Sequence, residues 1–352
     1  MAVKDIIKHY RDEQLLYFGE GLWSLKIPRI PTNIFAIDLL TGGGLPQGRA
    51  SEFYGVKGST KTTTALRAAG RYLLLNPTKK VLFVDFEGSF DVTWASNFIA
   101  DMERFLLLTP DYGEQGLDII RDLVLKAPEI GLLIIDSIAM MIPVKESQAD
   151  AGDSFMGLQA RLINRLYRML LPIVTQKKRE KEFLTILTIN QLRANLKATG
   201  FQSPVMKAGG YLHDHILSLA LRFYTVKFIQ EKGIPAKSIH EFTVEKNKLG
   251  LQRRSGRFIM NLVNMDGKTP VGSIDELTTI IEFAKKSRVL ERVGNKWKLG
   301  EIIYPTLEKA EEDCGGKPEL LKTIKEEILQ RCYKNILLTS GTTKTGEKED
   351  DA

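Results

Sequence analysis

A glycine-rich octapeptide contains the first residues whose types and spacing could do chemistry. It reads Gly55-Val56-Lys57-Gly58-Ser59-Thr60-Lys61-Thr62 and lies between a strand-like run, Ser51–Tyr54, and a helical run, Thr63–Leu75. In such a P-loop, backbone N–H groups surround phosphates, a lysine reaches the β and γ oxygens, and a hydroxyl holds magnesium. Lys61 and Thr62 are the candidates for the last two tasks. On its own the octapeptide also fits a Gly-Ser-Thr turn with no ligand.

Thr60 is the one departure from this pattern, because the motif carries glycine at that position. A β-branched residue strains the loop if the backbone there needs a positive φ, although Gly58 could supply some of the lost freedom. We therefore expect Thr60 to affect nucleotide affinity or turnover rather than the fold.

Polar residues end three further strand-like runs. Asp136 follows the apolar run Leu132–Ile135, and a carboxylate at that edge of a sheet can hold magnesium beside a P-loop. Glu87 ends the run that begins at Phe83, and it could polarise an attacking water. Gln191 ends another run, where an amide could contact a γ-phosphate. Each has an ordinary structural explanation, such as a helix cap, but their combination with the octapeptide favours a nucleotide site.

The order of the elements predicts the fold that would position these residues. The chain has 352 residues, which suits one large domain and a smaller one. From residue 32 to 265, buried strand-like runs alternate with helical patterns, which predicts an α/β core with a doubly wound, mostly parallel sheet. Residues 1–31 would hold an amphipathic helix and a linker, packed on this core or on a neighbouring subunit. Residues 266–338 predict a small α+β domain with a hairpin at Gly294-Asn295, and residues 339–352 a disordered polar and acidic tail.

Composition excludes several classes of protein. Lysine and arginine total 50 against 43 acidic residues, and the resulting net charge of +7 permits a polyanionic partner without establishing one. Two cysteines, Cys314 and Cys332, are too few for a disulfide framework, so we expect a reducing compartment. The chain shows neither an apolar signal-peptide core nor a membrane-spanning run, so we expect a cytoplasmic protein with no membrane partner.

The four elements, in this order, resemble those of the RecA recombinase family. Further stretches are also similar to family segments: residues 32–38 and 43–49 to the lead-in to the P-loop, 111–117 to "DTGEQAL", 152–161 to "GDSHMGLAAR", and 246–248 to "KNK". The similarity runs from about residue 30 to 300 and is closer to bacterial RecA than to the eukaryotic and archaeal branch. The divergence suggests a bacteriophage or a distant bacterial origin.

The resemblance implies an ATPase core that uses ATP and Mg²⁺. ATP would contact residues 55–63, with Asp91 and Trp94 at the adenine, where Trp94 replaces the family's tyrosine. Thr62 and Asp136 would hold Mg²⁺. Glu87 would activate water, Lys61 would bind phosphate and Gln191 would sense the γ-phosphate. Lys246 and Lys248 would reach ATP bound to the neighbouring subunit, as arginine fingers do in other ATPases.

The resemblance also implies two DNA-binding loops, residues 144–157 and 192–210. Cations there would neutralise phosphates, and Met156 and Leu196 could wedge between bases. The full set of candidate DNA contacts is Met156, Arg161, Arg165, Arg193, Leu196, Lys197, Phe201, Lys207, Gly209 and Gly210. The alternative for the second loop is a mobile surface segment. The C-terminal domain, with its basic cluster, would gather duplex DNA, or that cluster is simply a solvated basic face.

These implications make the leading hypothesis an ATP-dependent recombinase. It would form helical homo-oligomeric filaments on single-stranded DNA and exchange strands with double-stranded DNA as a DNA-dependent ATPase. Single-strand-binding and loader proteins would be its partners in the bacterial cytoplasm, or in an infected cell. One alternative is a non-catalytic accessory scaffold with a P-loop impaired at Thr60, and another is a hexameric helicase or similar motor. The retained polar residues oppose the first alternative, and the Met156–Arg161 segment opposes the second.

Overall fold

The computed structural model describes residues 7–8, 27–148, 157–194, 205–264 and 267–337. The chain divides into two units, Met1–Ser273 and Ile274–Ala352. Within the described ranges, no helix is both long enough and apolar enough to cross a membrane. The helix predicted in residues 1–31 falls almost entirely outside these ranges, as does the predicted tail, and the four-part division of the chain stays a prediction.

The strands of the first unit follow the chain as eleven segments in the described residues. They are β1 (Arg29–Ile30), β2 (Leu45–Pro46), β3 (Ala50–Gly55), β4 (Lys80–Asp85), β5 (Phe105–Leu108), β6 (Ile130–Asp136), β7 (Thr185–Ala194), β8 (Val205–Lys207), β9 (Leu219–Glu231), β10 (Ile234–Asn247) and β11 (Arg254–Asn261). The α-helices are α1 (Phe35–Thr41), α2 (Lys61–Leu75), α3 (Val92–Ser96), α4 (Gly113–Lys126), α5 (Val144–Ser147), α6 (Leu158–Arg179) and α7 (Gly210–Ile216).

A nine-stranded sheet forms the centre of this unit. Its order is β11-β10-β9-β3-β7-β6-β4-β5, with β8 paired to β7. The six strands from β9 to β5 run parallel, whereas β10 and β11 add antiparallel strands at one edge. The predicted α/β fold with a mostly parallel sheet is confirmed.

Helices cover the central strands, which are buried along their whole length and are mostly apolar. Every residue of β3 and of β6 is buried, as expected for strands covered on both faces. Side chains of α4 and α6 pack with alternate residues of β4 and β6 in one core cluster, in which Tyr167 is fully buried. The polar carboxyl ends of these strands therefore lie at one edge of a rigid sheet.

The second unit is small and mixes helices with a short sheet. It consists of α8 (Glu276–Lys286), β12 (Leu290–Val293), β13 (Lys296–Leu299), β14 (Ile302–Tyr304), α9 (Leu307–Gly316) and α10 (Pro318–Leu337). The three strands are antiparallel. Val293 pairs with Lys296 across Gly294, whose φ is 62°, so the predicted hairpin is present.

Candidate functional site

The octapeptide connects β3 to α2 and folds around the side chain of Lys61. The Lys61 ammonium donates hydrogen bonds to Val56 O at 2.7 Å and to Ser59 Oγ at 3.3 Å. Thr225, on β9, donates to Gly58 O at 3.1 Å and so anchors the loop from the neighbouring strand. Burial lowers the pKa of Lys61, against the opposing effect of nearby carboxylates. The loop thus holds a cation among neutral oxygens, where it remains able to attract an anion.

Thr60 adopts the backbone conformation that a β-branched residue avoids. Its φ is 65° and its ψ is 15°, in the left-handed region, at the N-cap position of α2. Its hydroxyl donates to Ser59 O at 2.6 Å instead of capping the helix. The positive φ on which the expected strain depended is therefore observed.

Thr62 and Asp136 meet beside the loop, as expected for a magnesium site. The Thr62 hydroxyl donates to Asp136 Oδ2 at 2.5 Å. Asp136 is 3% exposed, and within the described residues its buried Oδ1 has no hydrogen-bond partner. Burial, with Glu87 and Asp85 nearby, raises the pKa of the Asp136 carboxyl to about 7. An orphaned carboxylate oxygen next to a hydroxyl is a donor set that fits Mg²⁺.

Glu87 and Gln191 come together from strands that are distant in sequence. Gln191 lies opposite Gly55 in the β3–β7 pairing, and Asp85 lies opposite Asp136 in the β4–β6 pairing. The Gln191 amide donates to Glu87 Oε1. Because the carboxyl ends of parallel strands meet at one edge, three predicted polar residues surround the octapeptide.

Asp85 is a residue of this site that the sequence interpretation missed. Its buried carboxylate accepts the backbone N–H of Glu87 at 2.9 Å and that of Phe90 at 2.8 Å. It therefore fixes the turn that carries Glu87. The signal was a second acidic residue at the same strand end.

Asp91 and Trp94 lie beside the start of α2. Asp91 caps α3 by accepting the Trp94 N–H at 2.7 Å. The Trp94 indole N–H donates to Thr63 Oγ1 at 3.2 Å, and its ring meets Phe98 edge-on with centroids 5.4 Å apart. The predicted adenine residues are thus adjacent to the predicted phosphate loop.

Lys246 and Lys248, by contrast, are bonded away from that loop. The Lys246 ammonium donates to Asp214 O, and Lys248 donates to His215 O at 2.7 Å. Both carbonyls belong to the last turn of α7. Of the predicted catalytic residues, these two are not brought together with the others within the chain.

Six of the ten predicted DNA contacts lie within the described residues, at three places. Arg161 and Arg165 lie on the exposed side of α6 and, with Arg168, Asn164 and Met169, line a groove of about 320 Å³. Arg193 donates to Ala139 O, near the first turn of α6. Four contacts lie outside the described residues: Met156, Leu196, Lys197 and Phe201.

Lys207, Gly209 and Gly210 lie where the second predicted loop returns to the sheet. The Lys207 ammonium lies 2.6 Å from Glu52 Oε2 and 2.5 Å from Asp214 Oδ1. Gly209 has a φ of 110°, and a Cβ there would lie 2.6 Å from His213 Nδ1, so the close approach needs glycine. Gly210 also has a positive φ, 69°. The sequence interpretation missed Glu52, whose signal was an acidic residue inside an apolar strand.

The chain is similar to known proteins over most of its length. The family model described as "RecA N-terminal domain" matches residues 1–261. "Protein RecA" of Trichormus variabilis is 28% identical over 352 residues, covering 100% of this chain and 93% of that protein. "Protein RecA" of Thermosynechococcus vestitus is 29% identical over 357 residues, covering 99% and 93%.

A solved structure described as "Crystal structure of the RadB recombinase" has a TM-score of 0.48 and 21% identity, and covers 66% of this chain and 96% of that one. The family model spans residues 1–261, well over half of the 352-residue chain. The chain therefore belongs to the RecA family.

Proposed function

We propose that this protein is an ATP-dependent recombinase that forms helical filaments on single-stranded DNA. In such a filament it pairs homologous strands and exchanges them with double-stranded DNA in recombination and repair. The observation that carries the proposal is the polar cluster at the carboxyl edge of the sheet, where the Thr62–Asp136 and Gln191–Glu87 contacts flank the phosphate loop. Membership of the RecA family supports the role in recombination and repair.

In this proposal the chain's own residues divide the work of ATP hydrolysis. Backbone N–H groups of residues 55–62 and the Lys61 ammonium bind the phosphates. Thr62 and Asp136 would hold magnesium, which would supply positive charge beside the phosphates. Glu87 orients the attacking water and accepts its proton, and Gln191 links this carboxylate to β7 and the second loop. Trp94 and Asp91 hold the adenine.

The remaining contacts are made between subunits and with DNA. Lys246 and Lys248 leave the end of α7 and reach ATP on a neighbouring copy of the chain, so that filament formation completes the active site. The arginines of α6 and the two loops follow the phosphate backbone, while sequence is read by base pairing. Single-strand-binding and loader proteins act on this filament in the bacterial cytoplasm.

A second function is favoured by the conformation of Thr60. If the left-handed backbone of this threonine, with φ of 65°, impairs nucleotide binding, the protein is a non-catalytic scaffold that stabilises another recombinase's filament. The intact cluster of Lys61, Asp136 and Glu87 opposes this function.

ATP hydrolysis with and without single-stranded DNA decides between the recombinase and the non-catalytic scaffold. We expect DNA-stimulated turnover in the wild type and a loss of about a hundredfold or more in Glu87→Gln, with ATP and DNA binding retained. Glu103→Gln, at an exposed position, is the matched control and should behave as the wild type. DNA binding without any wild-type turnover would establish the scaffold and reject the recombinase.

A further inference from the structure

The ammonium of Lys207 lies in a buried polar cluster instead of facing solvent. We propose that Lys207 is a positioning residue that acts through Glu52 on Gln191 and Glu87, and that it contacts no DNA phosphate. This proposal rests on the proposed function. The side chain of Lys207 is 18% exposed and that of Glu52 is fully buried.

Glu52 is the centre of this cluster and uses both of its oxygens. Oε2 accepts from the Lys207 ammonium at 2.6 Å, and Oε1 accepts from Asn190 Nδ2 at 2.9 Å. His213 Nε2 lies 3.0 Å from the same Oε1. Burial opposes ionisation of Glu52, but hydrogen bonds and charge from His213 and Lys207 lower the pKa of the Glu52 carboxyl. The same pairing raises the pKa of Lys207 in spite of burial, so both groups are charged at neutral pH.

Asn190 extends the contact toward the candidate catalytic carboxylate. Its side-chain oxygen accepts the backbone N–H of Gln191 at 2.9 Å, and the Gln191 amide donates to Glu87. A continuous hydrogen-bonded chain therefore runs from Lys207 through Glu52 and Asn190 to the Gln191–Glu87 pair. Since Asn190 and Gln191 are consecutive residues of β7, a shift of Glu52 changes the position of the Gln191 backbone.

The second carboxylate on Lys207 connects it to a different element. Asp214 Oδ1 lies 2.5 Å from the ammonium, and the backbone carbonyl of the same residue accepts from Lys246. One ammonium thus holds both the strand that presents Gln191 and the turn of α7 that retains Lys246.

Two other interpretations of Lys207 fit the geometry less well. Single ligand atoms of Glu52, His213 and Asp214 lie within 4.8 Å of one another, a spacing that could hold a metal ion, but the ammonium already fills the space between the two carboxylates. A phosphate contact would require the ammonium to leave both carboxylates and the face of the Tyr54 ring, whose centroid is 4.5 Å away. Leaving would strand the buried charge of Glu52, which is costly.

Hydrogen–deuterium exchange without nucleotide or DNA tests the chain of contacts directly. We expect Lys207→Met to raise exchange in residues 185–193 and Lys207→Arg to keep it near the wild-type level. Lys227→Met, on an exposed stretch of β9, is the control and should change nothing there. Unchanged exchange in Lys207→Met would overturn the inference. This readout needs no turnover, so it remains valid if the recombinase proposal itself fails.

ATP turnover and DNA binding then separate positioning from phosphate contact. At saturating single-stranded DNA we expect Lys207→Met to lower turnover about tenfold with no change in the dependence of DNA affinity on salt. A lost phosphate contact would instead lower the slope of log affinity against log salt by about 0.7 for a single strand. That smaller slope, with saturated turnover retained, would overturn the inference.

Glu52→Gln checks that Lys207 acts through the carboxylate. Lys207 and Asn190 donate to different oxygens of Glu52. In glutamine one of these oxygens is replaced by an NH2 donor, so one of the two contacts is lost, and this variant should show the same exchange and turnover defects. The double variant Glu52→Gln/Lys207→Met should then add little to either single change, because the two residues belong to one chain of contacts. The double variant also removes the buried charge of Glu52, which Lys207→Met leaves unpaired. Its melting temperature should therefore exceed that of Lys207→Met. Additive defects in turnover would show independent roles and reject the proposal.

Discussion

Thr60 holds a left-handed backbone conformation, φ 65°, at the start of α2. This conformation costs an ordinary residue about 1–2 kcal/mol, whereas glycine adopts it freely and loses about 0.4–1 kcal/mol through its more flexible unfolded state. We therefore expect Thr60→Gly to raise the free energy of unfolding by about 0.5–1 kcal/mol and to strengthen ATP binding. Urea unfolding and nucleotide titration are the measurements.

Thr93→Gly is the matched control for this change, because Thr93 lies within α3, where glycine is unfavourable. The control should be less stable than the wild type. If Thr60→Gly were destabilised as much as Thr93→Gly, the conformation of Thr60 would carry no strain.

Asp85 holds the turn that presents Glu87, since its carboxylate accepts two backbone N–H groups of that turn. Asp85→Ala leaves both donors without their partner, and we expect ATP turnover to fall about tenfold or more while ATP binding is largely kept. Steady-state hydrolysis beside equilibrium nucleotide binding measures the two effects. Asp122→Asn, which alters an exposed ion pair with Lys126, should leave both unchanged, and unaltered turnover in Asp85→Ala would contradict the positioning role.

His240 gives the protein a defined dependence of stability on pH. Burial lowers its pKa from 6.5 to about 4, and its ring lies against Phe258 while Nε2 is 2.7 Å from Ser238 Oγ. Well above pH 6.5 the imidazole is neutral in both the folded and the unfolded chain, so it contributes nothing to the pH dependence of stability. Between these two values the unfolded chain takes up a proton that the folded chain does not, so stability falls on acidification by up to about 1.4 kcal/mol per pH unit.

His240→Gln should therefore flatten the decline of unfolding free energy between about pH 6.5 and pH 4, relative to the wild type. Urea unfolding of both proteins across that range isolates His240, because the carboxylates are common to the two. Curves that stay parallel would show that His240 does not titrate differently on folding.

At the scale of elements, helix α6 presents a row of arginines at one exposed face, beside a groove of about 320 Å³. If this face follows the backbone of single-stranded DNA, each arginine that contacts a phosphate contributes about 0.7 to the slope of log affinity against log salt. We expect Arg161→Gln and Arg165→Gln each to lower the slope by about that amount, equally for all DNA sequences.

Arg179→Gln, at the far end of the same helix, is the control for net charge and should leave the slope almost unchanged. DNA titrations at several salt concentrations provide the measurement. Equal effects of all three substitutions would indicate a general charge effect instead of a DNA-binding face.

The strand ends explain which parts of the site could be predicted from sequence. Asp136 ends β6, Glu87 follows β4, and Gln191 is the last residue of β7 that pairs with β3. Because the carboxyl ends of parallel strands meet at one edge, their proximity followed from the fold class. The partners of Lys207 could not be predicted in this way. Lys207 and Glu52 are 155 positions apart, and a basic residue in a glycine-rich loop indicates a phosphate contact unless its partner is known.

The sequence predicted the parallel centre of the sheet but not its antiparallel edge. Continuous apolar runs predicted the parallel centre, because strands buried on both faces lack alternation. The antiparallel addition of β10 and β11 was not predicted, since their residues alternate between buried and exposed and the pairing of β9 with β10 depends on a turn at Lys232-Gly233.

At the scale of the whole molecule, Lys246 and Lys248 are bonded to the end of α7 within their own chain, whereas the proposed recombinase uses them on a neighbour. Mixing two inactive variants tests whether the lysines of one chain act on the site of a neighbouring chain. Glu87→Gln keeps the lysines, and Lys246→Met/Lys248→Met keeps Glu87, so random mixing in equal amounts should restore about a quarter of the wild-type interfaces.

DNA-stimulated ATP hydrolysis of the mixture, against each variant alone, is the measurement. The matched control mixes Glu87→Gln with Asp136→Asn, because both changes affect the same half of the site and no interface is then complete. Turnover in the mixture no greater than in the separate variants would place the whole active site within one chain.

The position of β3 in the sheet also determines when during synthesis the proposed nucleotide site can form. Ala50 pairs with Ile186 and Ser51 pairs with Leu219, so the ribosome must make most of the first unit before β3 has either neighbour. Chains are made at about 5–20 residues per second, and strands with distant partners form late. We therefore expect β4, β5 and β6, which pair with one another, to assemble on the nascent chain first. Affinity for ATP would then be among the last properties that a newly made molecule acquires.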